Sequence, residues 1–475
     1  MINLKLITMI EKILKNKYLS LVGKCADKLE YETCVVGGFV RDLILNKQSN
    51  DLDFVCVGSG IKLAQEVQVA LGNGAKLDIF ESYGTAHIQY EGVELEFVGA
   101  RKEFYHRESR NPIVEDGTLF DDISRRDFTI NNIAIRLNDG VFGEYVDYFN
   151  GQEDLKNGII RTPLDPNITF SDDPLRMLRC IRFATRFNFE IEEKTLQGIK
   201  DNVSRIEIIV PERIIDEINK ILLCNKPSIG FKILEDCGLL KILLPELHEL
   251  NIIEYKNGVK HKNIFEHTLE VLDNVSLLSN NLYLRWSALL HDLGKLYTKQ
   301  FDEVNNKWTF HNHEHVGAEH VSSLFKRLHL PLDNRMDYVK KMVELHMRPI
   351  KLVDEGVTDA GVRRLLFSAG EHIDDLMILA SSDITSKKQW KKDKYKTQYI
   401  NLKQRMIEIE EKDHIKNFQP PIDGVEIMEI FSLKPCKLIG EIKENVKNAI
   451  LDGIIPNDHD IALDYIKKAF TEFNC

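Results

Sequence analysis

The sequence predicts an α+β protein in which a mixed sheet with helices comes first and an all-helical region follows. Short apolar or alternating runs typical of strands occur at residues 34–36, 53–57, 86–90 and 95–98, among helical segments and glycine-bearing turns. After residue 151 such runs become rare, and helical periodicity, interrupted by prolines, dominates the rest of the chain. The change in pattern separates a sheet-containing part from a helical part.

The composition is that of an ordinary soluble protein. Hydrophobic residues make up 43% and charged residues 29% of the 475 residues, which excludes disordered and fibrous classes. No apolar run approaches the roughly 20 residues of a membrane helix, and charged residues interrupt the start of the chain, where a signal peptide would need an apolar core. The eight cysteines form no C-x-x-C pair, which favours a reducing compartment over a cysteine-rich zinc site. We therefore expect a soluble, cytoplasmic protein.

Shifts in composition predict four domains. They cover residues 1–150, 151–250, 251–400 and 401–475. The first boundary follows the loss of strand patterns, and the second lies where the density of histidines rises, since 13 of the 15 histidines lie between His248 and His459. The net charge is −11, yet residues 387–405 carry eight basic side chains against one acidic side chain. This basic run is either a nucleic-acid contact or a solvated helix face.

A glycine pair marks the first candidate site. Gly37 and Gly38 follow a predicted strand and precede an apolar helical run. Glycines at such a junction permit close approach of the backbone to phosphates, and the start of a helix attracts anions. Arg41, about one turn into this helix, is placed to contact a triphosphate.

Two carboxylates follow on one predicted strand. Asp51 and Asp53 alternate with Leu52, so both carboxylates point to the same face. Such a pair suits Mg²⁺, which binds carboxylates together with substrate phosphates, and nucleotidyl transfer by two metals needs this arrangement. Glu96 is the candidate third carboxylate, although its spacing fits a surface strand equally well.

Arginines dominate the next two segments. Residues 125–132 combine Arg126, suited to phosphate contact, with Asp127, suited to ribose or structural bonding; a capped helix start is the alternative. A further helix is predicted with Asp173 as N-cap, followed by Pro174 as its first helical residue. One face of it, an arc of about 120°, carries Arg176, Arg179, Arg182 and Arg186. Asp173 and Arg176 together are able to read the edge of a base, or they form a simple salt bridge.

The histidine-rich region holds a candidate metal site. Histidine and carboxylate side chains that are distant in sequence can meet around a divalent ion. The candidate ligands are His267, His291, Asp292 and Asp383, with His313 and His346 as further candidates. Residues 311–320 are alternatively a solvated hairpin. The chain has no P-loop, complete G-x-G-x-x-G or H-E-x-x-H motif, which excludes P-loop ATPases, Rossmann dehydrogenases and zincins.

Taken in order, these motifs resemble those of the bacterial class II tRNA nucleotidyltransferase and poly(A) polymerase family. The matching segments are residues 37–53 (first motif), 125–132 (R-R-D-F-T-x-N), 147–154 (hinge), 173–179 (base reading) and 211–214 (last motif). Residues 260–385 resemble an HD phosphohydrolase domain. Two departures from the family pattern are Asp172, where glutamate is usual, and Asn132, where a small residue is usual.

The resemblance implies a CCA-adding enzyme: a nucleotidyltransferase-type head, a helical neck that binds the base and RNA, an HD domain and a helical tail. It implies that Asp51 and Asp53 hold Mg²⁺, and that Asp173 and Arg176 pair with the base of CTP or ATP. The residues that it places around the nucleotide are Gly37, Gly38, Arg41, Arg126, Asp127, Asp173, Arg176, Arg179 and Arg182. The HD site would hold a divalent metal.

The implied reaction is stepwise addition of C, C and A to the 3′ end of tRNA without a nucleic-acid template, with release of pyrophosphate. Residues 103–122 are expected to form a flexible loop that permits the change of base, and the basic run 387–405 is a candidate contact for the acceptor arm. Alternatives are a poly(A) polymerase, a partial enzyme adding only CC or A, an HD phosphohydrolase with an RNA-binding head, and a non-catalytic RNA-binding scaffold. The intact carboxylates Asp51 and Asp53 argue against the last two.

Overall fold

A computed structural model gives the fold for most of the chain. It describes residues 13, 16–104, 113–260, 263–385, 389–415 and 418–471. These residues form two compact units, one made of Met1–Cys224 and Ile229–Leu243, the other of Asn225–Ser228 and Leu244–Cys475. The predicted domain limits near 150, 250 and 400 stay predictions. Residues 105–112 of the expected loop, Lys387 and Lys388 of the basic run, and the first 12 residues lie outside the described residues.

The first unit contains the mixed sheet expected from the sequence. Its strands are β1 (Thr33–Val36), β2 (Asp51–Cys56), β3 (Lys76–Phe80), β4 (Thr85–Tyr90), β5 (Val93–Gly99), β6 (Arg101–Phe104), β7 (Ile113–Asp116), β8 (Ala134–Arg136), β9 (Tyr145–Val146), β10 (Ile159–Ile160) and β11 (Glu190–Ile191). Seven of them pair in the order β3-β4-β5-β2-β1-β8-β9. Only β2 and β5 run parallel within this sheet. All four strands predicted from apolar runs are confirmed, as β1, β2, β4 and β5.

Helices surround this sheet and continue beyond it. Those up to residue 243 are α1 (Lys17–Lys28), α2 (Gly38–Ile44), α3 (Gly60–Leu71), α4 (Leu119–Ser124), α5 (Gly151–Asn157), α6 (Pro166–Asp172), α7 (Leu175–Phe187), α8 (Glu193–Asn202), α9 (Pro211–Leu222), α10 (Ser228–Asp236) and α11 (Leu239–Leu243). Helix α7 begins one residue later than predicted. Pro174 already has helical dihedral angles (φ −61°, ψ −20°) and occupies the N-cap position.

The core of the sheet fixes the positions of strands β2 and β5. Strand β1 is buried along its whole length, and Phe54 of β2 stacks on Phe97 of β5 with ring centroids 5.1 Å apart. Val36 and Val55 pack in one cluster with Ile123 of helix α4. Helix α4 therefore lies on the sheet face to which alternate residues of β1 and β2 point.

The prediction that residues 103–122 form a loop is wrong for the described residues of this segment. Strand β7 pairs with β6 as a hairpin, and α4 begins at a capping box between Thr118 and Asp121. In that box each residue's side chain binds the other's main-chain N–H, which satisfies two donors that a helix start leaves unpaired. Most of the described part of this segment is therefore regular structure.

The second unit is helical with two small hairpins. Its elements are α12 (Pro245–Glu249), β12 (Tyr255–Lys256), β13 (Val259–Lys260), α13 (Ile264–Leu278), α14 (Leu282–Leu290), α15 (Lys295–Thr298), β14 (Gln300–Asp302), β15 (Lys307–Thr309), α16 (His313–Arg327), α17 (Asn334–Leu345), α18 (Met347–Glu355), α19 (Asp359–Ala369), α20 (Ile373–Ser382), α21 (Gln389–Asp413), α22 (Gly424–Phe431), α23 (Lys437–Leu451) and α24 (His459–Thr471). Across the described ranges, no helix is both long enough and apolar enough to cross a membrane.

Candidate functional site

Four acidic side chains lie side by side at the start of the central strands β2 and β5, a place that we call the β2–β5 edge. The parallel register places Asp51 beside Glu94 and Asp53 beside Glu96, so Glu96 joins the predicted pair from the neighbouring strand. Burial raises the pKa of Asp53 to about 6, and the negative charges of Asp51 and Glu96 add to this rise while Arg126 opposes it. Burial also raises the pKa of Asp51. This concentration of negative charge, built only from oxygen donors, fits a hard divalent cation such as Mg²⁺.

Gly37 allows the turn after β1 to approach this edge. Its φ is +77°, a region that favours glycine, and a Cβ at this position would lie 2.8 Å from Oδ2 of Asp53 and 3.5 Å from Nη1 of Arg126. A larger residue would therefore displace either the carboxylate or the guanidinium. The structure thus gives a physical reason for a glycine at the position singled out in the sequence.

A cavity of about 470 Å³ lies beside Asp53 and is lined by a large excess of positive charge. Eight arginines line it: Arg41, Arg125, Arg126, Arg176, Arg179, Arg182, Arg186 and Arg213. Gly37, Gly38, Asp127 and Asp173 line it as well. Every residue predicted to surround the nucleotide therefore borders one cavity. Such a concentration of guanidinium groups is complementary to a polyanion such as a triphosphate.

A chain of hydrogen bonds crosses the floor of the cavity. Arg41 donates from Nη1 to Oδ1 of Asn131 (2.7 Å), and Asn131 donates from Nδ2 to Oδ1 of Asp127 (3.0 Å). Arg179 then donates from Nε and Nη2 to Oδ2 of Asp127, at 2.8 and 2.6 Å. Asp127 is buried, and Arg179 and Asn131 outweigh the opposing effect of burial to lower its pKa. The network ties helix α2 to helix α7.

The predicted base-reading pair lies at the start of helix α7. Oδ1 of Asp173 accepts a hydrogen bond from the main-chain N–H of Leu175 at 3.2 Å, which orients the carboxylate. Arg176 donates from Nη2 to the main-chain carbonyl of Arg125 at 2.8 Å. Both side chains border the cavity, so they meet the geometric requirement for contacting a nucleotide there.

Two acidic partners of the arginines were missed in the sequence. Glu217 of α9 is buried and accepts from Nε of Arg182 at 2.6 Å. Asp122 of α4 is buried and accepts from both Arg125 and Arg126. The spacing of Asp122, three and four residues before these arginines on a helical segment, is a signal that was available. Glu217 offers no comparable signal because its partner lies 35 residues earlier in the chain.

The second unit brings the predicted histidines and aspartates together. Nε2 of His267 lies 2.8 Å from Oδ1 of Asp383 and 3.5 Å from Oδ2 of Asp292. Nε2 of His291 lies 3.4 Å from Oδ2 of Asp292. The two further candidates, His313 and His346, join Asp292 in a group whose ligand atoms lie within 4.8 Å of one another. The alternative of a solvated hairpin at 311–320 is wrong, since His313 is buried at the start of α16.

The ring orientations of these histidines prepare a metal centre. Nδ1 of His291, His313 and His346 each faces a main-chain carbonyl three residues earlier, at 2.8, 3.0 and 2.6 Å. Because a carbonyl only accepts, each Nδ1 carries the proton, and a neutral ring then directs the lone pair of Nε2 into the cluster. Those three Nε2 atoms are buried and make no hydrogen bond within the described part of the chain.

Charge in the cluster also favours a cation. Burial lowers the pKa of His291, but the negative charges and hydrogen bonds of Asp292 and Asp383 raise it by more, so the net shift is upward. Two contacts were not indicated by the sequence. Lys295 donates to Oδ2 of Asp292 at 2.7 Å, and Oγ1 of Thr385 lies 2.9 Å from Nδ1 of His267. The nitrogen and oxygen donors fit a divalent metal.

Three family models match successive parts of the chain. The model described as "Poly A polymerase head domain" matches residues 33–161, and "Probable RNA and SrmB- binding site of polymerase A" matches residues 188–251. The "HD domain" model matches residues 264–376.

Curated relatives and a solved structure are also similar. The A-adding tRNA nucleotidyltransferase of Deinococcus radiodurans is 30% identical over 86% of this chain and 89% of its own length. The Multifunctional CCA protein of Aliivibrio salmonicida is 34% identical over 62% of this chain and 70% of its own. The structure of the Thermotoga maritima CCA-adding enzyme complexed with tRNA-CCA has a TM-score of 0.61 at 22% identity, covering 97% of this chain and 98% of that chain. The last likeness shows the fold.

Proposed function

Because the chain belongs to the tRNA nucleotidyltransferase and poly(A) polymerase family, we propose that it adds nucleotides to the 3′ end of tRNA. The single observation that carries this proposal is the juxtaposition of three carboxylates and an arginine-lined cavity in the first unit. Carboxylates that hold metal ions, next to cations that hold a triphosphate, are the two parts that nucleotidyl transfer requires. The tRNA-related names of the relatives support the choice of acceptor.

The reaction is attack of the tRNA 3′-hydroxyl on the α-phosphate of the incoming nucleotide, with pyrophosphate as the leaving group. Asp51 and Asp53 would hold Mg²⁺, which when bound supplies activation of the hydroxyl and neutralisation of charge on the phosphates. Glu96 lies beside Asp53 and adds a third oxygen donor to the same edge. Arg126 and Arg41 bind the triphosphate from the side of the glycine turn.

Base selection falls to the start of helix α7. Asp173 offers an acceptor and Arg176 a pair of donors, which together match the hydrogen-bonding edges of both cytosine and adenine when the arginine changes its orientation. Arg179 and Arg182 are held by Asp127 and Glu217 and line the wall behind this pair. The held arginines contribute positive charge without the freedom to reorient.

Complete CCA addition is the function that we favour, with CTP and ATP as substrates. Addition of A alone is the second candidate, because the relative named as A-adding covers 89% of its own length in the match. Addition of CC alone and poly(A) synthesis are the remaining outcomes. The arrangement of the cavity is common to all four, so the products distinguish them.

A single-nucleotide extension assay tests this proposal. Purified protein with Mg²⁺ is given tRNA transcripts that lack CCA, end in CC or are complete, with CTP alone, ATP alone or both. A stop after three additions on the shortest transcript means CCA addition, whereas extension only of the transcript ending in CC means A addition. A long A tail means poly(A) synthesis. Absence of extension on every transcript would contradict the proposal.

We also propose a second function, hydrolysis of phosphoesters at the histidine centre. The inward-directed Nε2 atoms of His291, His313 and His346 carry this proposal, together with the match to the HD domain model. His267, His291, Asp292 and Asp383 would hold a divalent metal, which when bound supplies an activated water. Bis(p-nitrophenyl) phosphate with Mn²⁺, Co²⁺, Ni²⁺ or Mg²⁺ tests it, and absence of metal-dependent hydrolysis with all four would contradict it.

A further inference from the structure

Asp122 is a fully buried carboxylate that holds two adjacent arginines. Its Oδ1 accepts from Nε (3.1 Å) and Nη2 of Arg125. Its Oδ2 accepts from Nε (3.2 Å) and Nη2 (3.0 Å) of Arg126. The Asp122 side chain is 0% exposed, whereas each arginine side chain is 20% exposed. One carboxylate thus fixes two guanidinium groups that both border the nucleotide cavity.

The charged state of Asp122 depends on its two arginine partners. A buried ionised carboxylate without partners is unstable by several kcal/mol, and here two guanidinium groups compensate it. Burial alone would raise the pKa of Asp122, but Arg126 and Arg125 overcome this effect and lower it. Asp122 therefore stays ionised, and the two arginines stay bound to it.

The clamp also sets where Arg126 lies relative to the metal-binding edge. Arg126 acts on Asp53 electrostatically, lowering the pKa that burial raises. Its Nη1 atom lies next to the turn at Gly37. Arg126 therefore acts on two carboxylates, Asp122 and Asp53. Its bonds to Asp122 keep it from forming a full ion pair with Asp53, and Asp53 is the carboxylate that the metal needs.

We propose that Asp122 is a positioning residue for triphosphate recognition: by clamping Arg125 and Arg126 it holds both guanidinium groups at the wall of the cavity and leaves Asp53 available for metal. This inference rests on the proposed nucleotidyl transfer. Asp122 acts through the arginines and touches neither nucleotide nor tRNA. Loss of Asp122 therefore weakens the binding of every nucleotide by the same factor, because the two arginines contact phosphates and not bases.

The test variant is Asp122→Asn, with Asp121→Ala as the matched control. Asp121 neighbours Asp122 on the same helix and supports the start of α4 through the capping box, and its side chain makes no described bond to either arginine. Dissociation constants of CTP, ATP and tripolyphosphate are measured in Ca²⁺ without tRNA, and that of tRNA without nucleotide. For Asp122→Asn we expect all three phosphate ligands to weaken about tenfold or more, with tRNA affinity unchanged.

Steady-state kinetics add a second readout. The KM values for CTP and ATP should rise by the same factor, and more than kcat falls. Asp122→Glu, which keeps the charge but moves the carboxylate, should show the same pattern, so a folding failure of Asp122→Asn leaves the inference testable. Unchanged tripolyphosphate affinity in both variants, or an equal loss in Asp121→Ala, would overturn it. Failure of the wild-type protein itself to bind nucleotides would instead overturn the proposed function.

Discussion

The carboxylate edge of the first unit and the histidine centre of the second unit are built on opposite plans. The carboxylate edge offers oxygen donors alone, with Asp51, Glu94 and Glu96 exposed at its strands. The histidine centre combines nitrogen and oxygen donors, and His291, Asp292 and His346 are at most 1% exposed. Exposed oxygen donors suit a metal that arrives with its substrate, whereas buried histidines suit a metal that is retained.

The neighbouring charges differ in the same sense. Arginines surround the carboxylate edge on the cavity side, so a triphosphate there completes the charge balance from outside. In the histidine centre, the ammonium group of Lys295, 2.7 Å from Oδ2 of Asp292, already balances part of the negative charge from inside. We infer that the first site is assembled by its substrate and that the second is assembled by the fold. The following predictions test this contrast.

The largest expected effect comes from Asp53→Ala. Removing this carboxylate should lower the rate of nucleotide addition by about 10³-fold, on the scale of several kcal/mol that metal ions contribute to such transition states. Metal-dependent phosphoester hydrolysis should be unchanged. Both activities are measured on the same preparation.

Asp78→Ala is the matched control, since Asp78 is an exposed acid on β3 of the same sheet. Equal losses in the two variants would mean that the effect is general destabilisation. Parallel loss of both activities in Asp53→Ala would contradict independent sites.

The next effect in size concerns metal retention at the histidine centre. Asp292→Ala should lower the affinity for metal at least about 100-fold, because loss of even indirect ligand support costs about 10- to 100-fold. Less metal should therefore stay bound after dialysis. Elemental analysis of the dialysed protein measures this, and nucleotide addition should not change. His315→Ala is the control, because His315 lies on α16 beside His313 but is exposed. Metal content that is equally low in the wild-type protein would refute a retained metal.

The contrast also explains what could be predicted from the sequence. Asp51, Asp53 and Gly37 belong to one local strand–turn pattern, so alternation and turn chemistry predicted their placement. Glu96 needed the strand order as well, because only the parallel β2–β5 register places it beside Asp53. Composition alone drew attention to the histidines, but which of them meet is decided by the packing of four helices, α13, α14, α16 and α17.

Buried counter-charges and very short strands were the parts that the sequence did not yield. Glu217 looks like any acid on an amphipathic helix until α7 and α9 pack together. Strands β10 and β11 are two residues each and pair in parallel across 30 residues, so no periodicity precedes them. Tertiary packing creates such features, and local propensity cannot indicate them.

A smaller effect is expected for base selection. Arg176→Lys keeps the positive charge but removes the planar pair of donors. We expect discrimination against UTP and GTP to fall about tenfold, on the scale of one charge-assisted hydrogen bond, with tripolyphosphate affinity nearly unchanged. Single-turnover incorporation of each of the four nucleotides measures it. Arg161→Lys, an arginine of the same unit outside the cavity lining, is the control; uniform loss of all nucleotides in Arg176→Lys would assign Arg176 to the phosphates instead.

The smallest effect is a pH dependence confined to the first unit. The arginines lower the pKa of Asp122 and that of Asp127 in the folded state, and the unfolded values are near 3.9. Since the unfolded chain then binds more protons, these groups stabilise the fold fully above about pH 4, and that stabilisation is lost as the pH falls further. In Asp122→Asn the acid-induced loss of folding stability between about pH 4 and 3 should be smaller by about 1 kcal/mol.

All three tryptophans, Trp286, Trp308 and Trp390, lie in the second unit, so fluorescence reports that unit. Hydrogen exchange of peptides from α4 and β2 must report the first unit. An acid profile of those peptides that is identical in wild type and Asp122→Asn would mean that Asp122 titrates alike in the folded and unfolded chain, against the compensation by Arg125 and Arg126.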